Sequence, residues 1–145
     1  MTITRSLIVA QARGWIGTPY RHQASLKGVG CDCLGLVRGV WRGVIGDEPE
    51  RAPAYAPDWA EAGGIEALAE AAARHLAEID RNAFREGDVL LFRWRGNLAA
   101  KHAAIVTAPH KIVHAHDGAA VAEVALAPWW RRRIAYAFRF PGVED

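Results

Sequence analysis

Gly30-Cys31-Asp32-Cys33-Leu34-Gly35-Leu36-Val37 is the stretch on which the reading of this chain turns. Cys33, Leu36, Val37, Val40 and Val44 recur at helical spacing, and Asp32 stands before them as a good N-cap, so a helix is expected with the Cys33 thiol in its first turn. Unpaired backbone N–H groups and the positive end of the helix dipole favour a thiolate at such a position. Far downstream, His102 and His114 are separated by the apolar Ala103-Ala104-Ile105-Val106 and a turn at Pro109. A nucleophile, a base and a residue to orient the base are therefore all available, which points to a cysteine hydrolase.

The bulk properties narrow the field. The 145 residues make one domain of ordinary size, 1–145, and 51% of them are hydrophobic, enough for a folded core. A formal charge of +2 is too small to argue for nucleic acid as a partner. Trp129-Trp130-Arg131-Arg132-Arg133 concentrates basic residues, read either as a solvated strand entry with two partly buried indoles or as a contact with an anionic polymer or neighbouring protein. No apolar run approaches the ~20 residues of a membrane span. Met1-Thr2-Ile3-Thr4-Arg5-Ser6 lacks the hydrophobic segment of a signal peptide, so synthesis in the cytoplasm without an export address is expected. The two cysteines are one residue apart, and a disulfide between them would close a strained ring, so none is expected.

The order of the elements gives the fold class. Thr4 is expected to cap a helix to about Gly14 that buries Leu7, Ile8, Ala12 and Trp15, ended by Gly14, Gly17 and Pro19. Gly35, Gly39 and Gly43 form a stripe on the Cys33 helix, which suggests close approach of another backbone. Asp47 to Pro57 reads as a loop with Pro49, Pro53 and Pro57. Asp58 and Glu61 form a capping-box pattern that opens an Ala-rich helix, with Gly63-Gly64 as a candidate interruption and Ile65, Leu68, Ala72, Leu76 and Ile79 on its apolar face. Strands are expected at Val89–Phe92, His102–Thr107, Lys111–Ala115 and Val121–Leu126. A last strand has Ile134, Tyr136, Phe138 and Phe140 alternating with Ala135, Ala137 and Arg139. Helices first and antiparallel strands afterwards imply an α+β fold with the helices packed on one side of the sheet.

That packing is what would bring Cys33 to the histidines. With a three-residue connection at Ala108 to His110, Thr107 faces Lys111, Ala104 faces His114 and His102 faces His116. His102, His114 and His116 then share a face, with His114 diagonal to His102, and a one-residue slip would separate them. The strand register leaves His114 and His116 both open as partners of His102. Duller readings exist: free cysteine packs well in cores, and a lone strand histidine is commonly satisfied or solvated. Cys31, Cys33, His102, His114 and His116 could also supply tetrahedral zinc ligands, but C-x-C is poorly suited to a zinc knuckle and no H-E-x-x-H pattern is present, so no metal is expected.

Gly17-Thr18-Pro19-Tyr20, Asp32-Cys33-Leu34-Gly35-Leu36-Val37, Gly87-Asp88-Val89-Leu90-Leu91-Phe92, His102-Ala103-Ala104-Ile105-Val106 and Ile112-Val113-His114-Ala115 follow one another in that order. This resembles the NlpC/P60 superfamily of papain-like cysteine peptidases, across about Ile8 to Phe140. The resemblance implies hydrolysis of peptidoglycan stem peptides between D-glutamate and a diamino acid, without a cofactor. By position, Cys33 is the nucleophile, His102 the base and His114 the polar residue that orients it. Tyr20, Asp32 and His22 border the site as substrate-binding residues, and Tyr20 is placed to meet substrate or oxyanion.

Leu34 departs from the serine that the family commonly has there, and Arg21-His22-Gln23 replaces an aromatic, glycine-rich stretch. The short Tyr20-Arg21-His22-Gln23 form is similar to compact members encoded with phage tails and gene transfer agents. That implies tail-tip or hub proteins as partners and delivery by a particle to the cell wall or periplasm. A catalytically idle tail component and an amidase on the same scaffold are the alternatives.

Overall fold

The computed structural model describes residues 2–50 and 66–144. The expected Asp58/Glu61 capping box, with Pro53, Pro57, Gly63, Gly64 and Ile65, lies outside the described residues. The first half contains β1 (Ile3–Thr4), α1 (Arg5–Arg13), the small hairpin β2 (Ser25–Leu26) and β3 (Gly30–Cys31), α2 (Cys33–Val44) and α3 (Ala67–His75). The second half contains β4 (Ala77–Ile79), β5 (Val89–Phe92), β6 (His102–Ala108), β7 (Lys111–His114), β8 (Ala122–Ala125), α4 (Pro128–Arg131), β9 (Ile134–Arg139) and β10 (Val143–Glu144).

Six strands form one antiparallel sheet in the order β4-β9-β5-β6-β7-β8, and β1 pairs in parallel with β10. The α+β expectation holds. The Thr4 hydroxyl accepts from Leu7 N at the start of α1, and Asp32 does the same for Gly35 N at the start of α2. These caps satisfy donors that a helix start leaves unpaired.

α1 and α2 lie against one face of the sheet. Ile8, Ala12, Trp15, Leu36, Val40 and Val44 meet Val89, Leu91, Ile105, Val113 and Phe138 there. The opposite face is covered too: Leu90, Phe92, Ala104, Val106, Ile112 and Ala137 pack with Leu126, Phe84 and Trp130. Leu7 departs from the core position its spacing predicts: it is 41% exposed, on the solvent side of α1.

Several expectations change at element ends. α3 stops at His75, so Ile79 belongs to β4 rather than to the helix face, and its chain bends to pair with β9. The alternation expected from Ile134 to Phe140 breaks because Ala135 is bulged between the Leu91–Tyr136 and Phe92–Ile134 pairs. The bulge sends Ile134 to the same side as Ala137.

The glycine stripe meets a backbone at only one point. A Cβ on Gly35 would lie 1.9 Å from the Ala24 carbonyl oxygen, whereas those on Gly39 and Gly43 would strike the side chains of Trp15 and Gln11. α1 therefore reaches α2 mostly through side chains.

Asp88, from the Gly87-Asp88 motif, is a fastener. Its buried carboxylate takes Arg5 from α1 at 3.1 Å and Arg139 from β9 at 3.1 and 3.0 Å. It also accepts from Arg85 N. A carboxylate this deep is tolerable only with such partners, and removing one side of a buried pair costs about 3–5 kcal/mol.

Candidate active site

The site forms where the N-terminus of α2 meets the start of β6. Asp32 does two jobs with its two oxygens: Oδ1 accepts from Gly35 N at 2.7 Å, and Oδ2 accepts from Gln23 N at 2.8 Å. The second bond clamps the Tyr20–Gln23 loop, in which Gln23 takes the left-handed φ of 65°. A non-glycine residue holds that conformation only where its surroundings over-determine it. His22 Nδ1 lies 3.9 Å from Asp32 Oδ2.

Cys31 and Cys33 part company at this junction. Cys31 is fully buried in the core, paired at Ser25 on β2 and bridged to Tyr20, while Cys33 lines an open cleft of about 500 Å³. The Cys33 thiol donates to the Lys101 carbonyl at 3.8 Å. Tyr20, His22, Asp32, Trp94, His102, His116, Asp117 and Trp129 line the same cleft. The expected site residues thus come together, with His114 behind His102.

The electrostatics correct one expectation. Burial, reinforced by the Asp32 carboxylate, pushes the Cys33 thiol up to about 12, while the Ala103, Leu34 and Cys33 amides pull weakly the other way. The helix start alone argued for a thiolate; loss of water and a neighbouring carboxylate outweigh it. Cys31 is raised to about 11, first by burial and then by Asp32. Tyr20 rises to about 12, chiefly through burial and next through Cys33, so its hydroxyl stays a donor at neutral pH.

The histidines move in the opposite direction. Burial, then the charges of His114, His116 and Lys101, hold His102 well below its usual range. His114 is lowered to about 4, again by burial first and His116 second. Cys33 and His102 therefore rest as neutral thiol and neutral imidazole.

His102 Nε2 and His114 Nδ1 lie 2.9 Å apart, and both rings are nearly buried. The β6–β7 register pairs Ile105 with Val113 and Val106 with Ile112, as expected. The turn differs: Ala108 pairs with Lys111 across two residues, and a bulge at Thr107 restores the expected register. His116 sits with its ring centroid 5.5 Å from that of His102, but its Nδ1–H donates to the Asp117 carbonyl at 3.3 Å. Among the described residues, no group of three or more His, Cys, Asp or Glu side chains is arranged to hold a metal ion.

Sequence reasoning missed the aromatic walls of this pair. Trp94 stacks on His102 at 5.5 Å and 25°, Trp130 lies 5.6 Å from His102 and 5.2 Å from His114, and Phe92 closes a third side at 5.9 Å. These rings keep water from the imidazole pair. The available signal was spacing: Phe92 and Trp94 alternate onto the face that carries His102. In place of the strand entry that is one of the two expectations for this stretch, Trp129 and Trp130 sit on the short helix α4, with Pro128 at its first position.

The fold, with two paired histidines beside a cysteine that lines the cleft, is papain-like. The NlpC/P60 family pattern matches residues 17–139, and the chain belongs to the NlpC/P60 family, peptidoglycan hydrolases that are generally cysteine peptidases. Among solved structures it is similar to the NlpC/P60 domain of the peptidoglycan hydrolase SagA, at 23% identity and a TM-score of 0.65, covering 95% of this chain and 100% of that one. An NlpC/P60 protein from Bacillus cereus matches at 18% identity and a TM-score of 0.69, over 97% of this chain and 41% of that one. A lipoprotein-like NLP/P60 protein from Staphylococcus aureus matches at 19% and 0.62, over 97% and 42%. The chain thus spans about two fifths of the length of these two relatives. No curated protein matches the sequence.

Proposed function

We propose that the chain is a cysteine endopeptidase that cuts peptidoglycan stem peptides, with Cys33 as nucleophile, His102 as base and His114 orienting the base. The observation that carries this reading is the 2.9 Å His102–His114 contact in the wall of the cleft that Cys33 lines. With His102 Nε2–H donating to His114 Nδ1, the lone pair of His102 Nδ1 is left to act as base. Sγ of Cys33 attacks the amide carbon as its proton passes to His102, and the carbonyl electrons move to oxygen. The Cys33 backbone N–H and the Tyr20 hydroxyl stabilise that oxyanion. His102 returns the proton to the departing amine, leaving a thioester. Water, giving a proton to His102, then releases the acid and restores the thiol.

The bond cut is that between D-glutamate and the diamino acid, in keeping with the motifs matched at Tyr20, Asp32-Cys33 and His102. Purified sacculi digested with the protein release peptides whose masses name the bond, and a Cys33→Ala variant releases none. Digestion that survives this substitution would sink the proposal. No ion takes part in these steps, so digestion continues in chelator.

We infer further that the enzyme is made in the cytoplasm and carried by a phage-like tail, docked on tail-tip or hub proteins, to the cell wall. The compact Tyr20-Arg21-His22-Gln23 segment supports this. Immunodetection on purified particles tests it: a signal confined to tail tips is expected, and its absence from all particles would overturn it.

A further inference from the structure

We infer that the corner formed by the β2–β3 turn and the residues just after α1 docks the protein on an anionic lipid surface, with Ile16, Leu26 and Val29 entering the lipid and Arg21 and Lys27 meeting the headgroups. The inference stands apart from the hydrolytic reading, and it begins with charge. Residues 1–31 contain Arg5, Arg13, Arg21 and Lys27 and not one Asp or Glu. Arg5 is bonded to Asp88 and Arg13 to Glu123, both from the second half of the chain. Arg21 and Lys27 are exposed, and among the described residues neither has a carboxylate partner. A formal charge of only +2 over the whole chain thus hides a local excess of cations.

Three of the five large hydrophobic side chains that stand exposed among the described residues gather at this corner: Ile16 at 46%, Leu26 at 60% and Val29 at 54%. The backbone beneath them is held firmly. Val29 N donates to the Leu26 carbonyl at 3.0 Å to close a four-residue turn, and Gly28 takes the positive φ of 78° that its third position favours. Gly28 N donates to Thr18 Oγ1 at 2.9 Å, which ties the turn to the segment that follows Ile16. The Lys27 ammonium lies 6.0 Å from the Trp15 ring centre, and the Arg21 side chain lies against Gly30, so both cations flank the aliphatic groups. Composition selects the occupant. Protein interfaces centre on Trp and Tyr anchors, with Leu and Val under-represented, and bury about 800 Å² a side. A narrow turn of bare aliphatics edged by cations has no such anchor, but it suits a lipid surface that takes the apolar tips and leaves the charges among anionic headgroups. Cys33 follows Gly28 by five residues, at most about 18 Å of chain, so a docked molecule holds its cleft close to the membrane.

The test uses the full chain and sedimentation with vesicles, made either of phosphatidylglycerol and phosphatidylcholine in equal parts or of phosphatidylcholine alone. The protein should pellet with the anionic vesicles, less so as salt rises, and much more weakly with the neutral ones. Leu26→Ala and Val29→Ala should each weaken binding by at least about tenfold, because two or three inserted carbons are lost. Lys27→Gln should weaken it about fivefold, the effect of one charge near an anionic surface. Arg132→Gln, in the basic stretch at the other side of the sequence, should leave binding unchanged. Equal binding to the two kinds of vesicle, or anionic binding that survives Leu26→Ala with Val29→Ala, would overturn the inference. So would a loss caused by Arg132→Gln alone, which would move the contact to α4. Binding to neither vesicle overturns it as well and makes the corner a surface for an acidic protein. All the altered side chains are exposed, and circular dichroism confirms that each variant is folded.

Discussion

Cys33 and Cys31 are separated by one residue and by a large difference in access. Cys31 is fully buried, and Cys33 opens on the cleft. Iodoacetamide at pH 8 should therefore modify Cys33 first, slowly because burial holds the thiol protonated. Peptide mapping that finds Cys31 labelled ahead of it would reverse the assignment. For the histidines, His102→Ala should abolish turnover, and His114→Ala should lower it by on the order of 10²–10⁴. His114→Asn should recover part of the loss, since its amide oxygen can accept the proton that Nδ1 accepts now. A smaller loss is expected for His116→Ala, and a reversed order of the two alanine variants would make His116 the orienting residue. The one-proton state of the Cys33–His102 pair is bounded by a lowered histidine and a thiol raised to about 12. The rate should accordingly hold on the acid side down past pH 6.5 and show no alkaline fall before about pH 9. A bell centred near neutrality would show that the thiol is not raised. That Cys33 and His102 would share one place was legible in the residue pattern, while the choice of His114 over His116 leaned on the family resemblance; their protonation was not legible, because burial is a property of the packed site.

At the scale of elements, the junction between the Ala24 loop and α2 tolerates no side chain. Gly35→Ala would put a Cβ 1.9 Å from a backbone oxygen, and the loop that carries Tyr20 would have to give way. Loss of peptidase activity with a folded far-ultraviolet spectrum is expected; an active, unshifted variant would contradict the clash. Asp88→Ala should cost about 3–5 kcal/mol, read from denaturant unfolding, because Arg5 and Arg139 lose a buried partner. The caps at Thr4 and Asp32 and the core register of β6 on β7 could be read from residue type and period. The Ala135 bulge and the end of α3 could not. Both follow from pairing with strands distant in sequence, which overrides the local pattern. The same holds for Trp94 and Trp130, whose role appears only once β5, β6 and α4 are packed together.

For the molecule as a whole, the depressed histidines make stability depend on acidity. His114 sits at about 4 and His102 well below its ordinary value, so an unfolded chain binds protons near pH 6.5 that the folded one refuses. Stability contributed by the neutral pair is complete above about pH 6.5 and is lost as pH falls toward 4. Scanning calorimetry should show Tm dropping over that interval, and the drop should shrink in a His114→Asn background. An unchanged slope there would place the acid sensitivity elsewhere. The α+β class and the helix-to-sheet packing followed from the order of periodic segments. The six-strand order did not, since β9 slips between β4 and β5 from far along the chain. One consequence concerns the parallel two-pair ladder, in which Ile3 pairs with Val143 and Thr4 with Glu144. Entry to and exit from the fold are separated by one strand spacing, roughly 5 Å. Residues 3–144 could be grafted into a surface loop of an unrelated host protein, or joined end to end and reopened elsewhere, without moving the sheet.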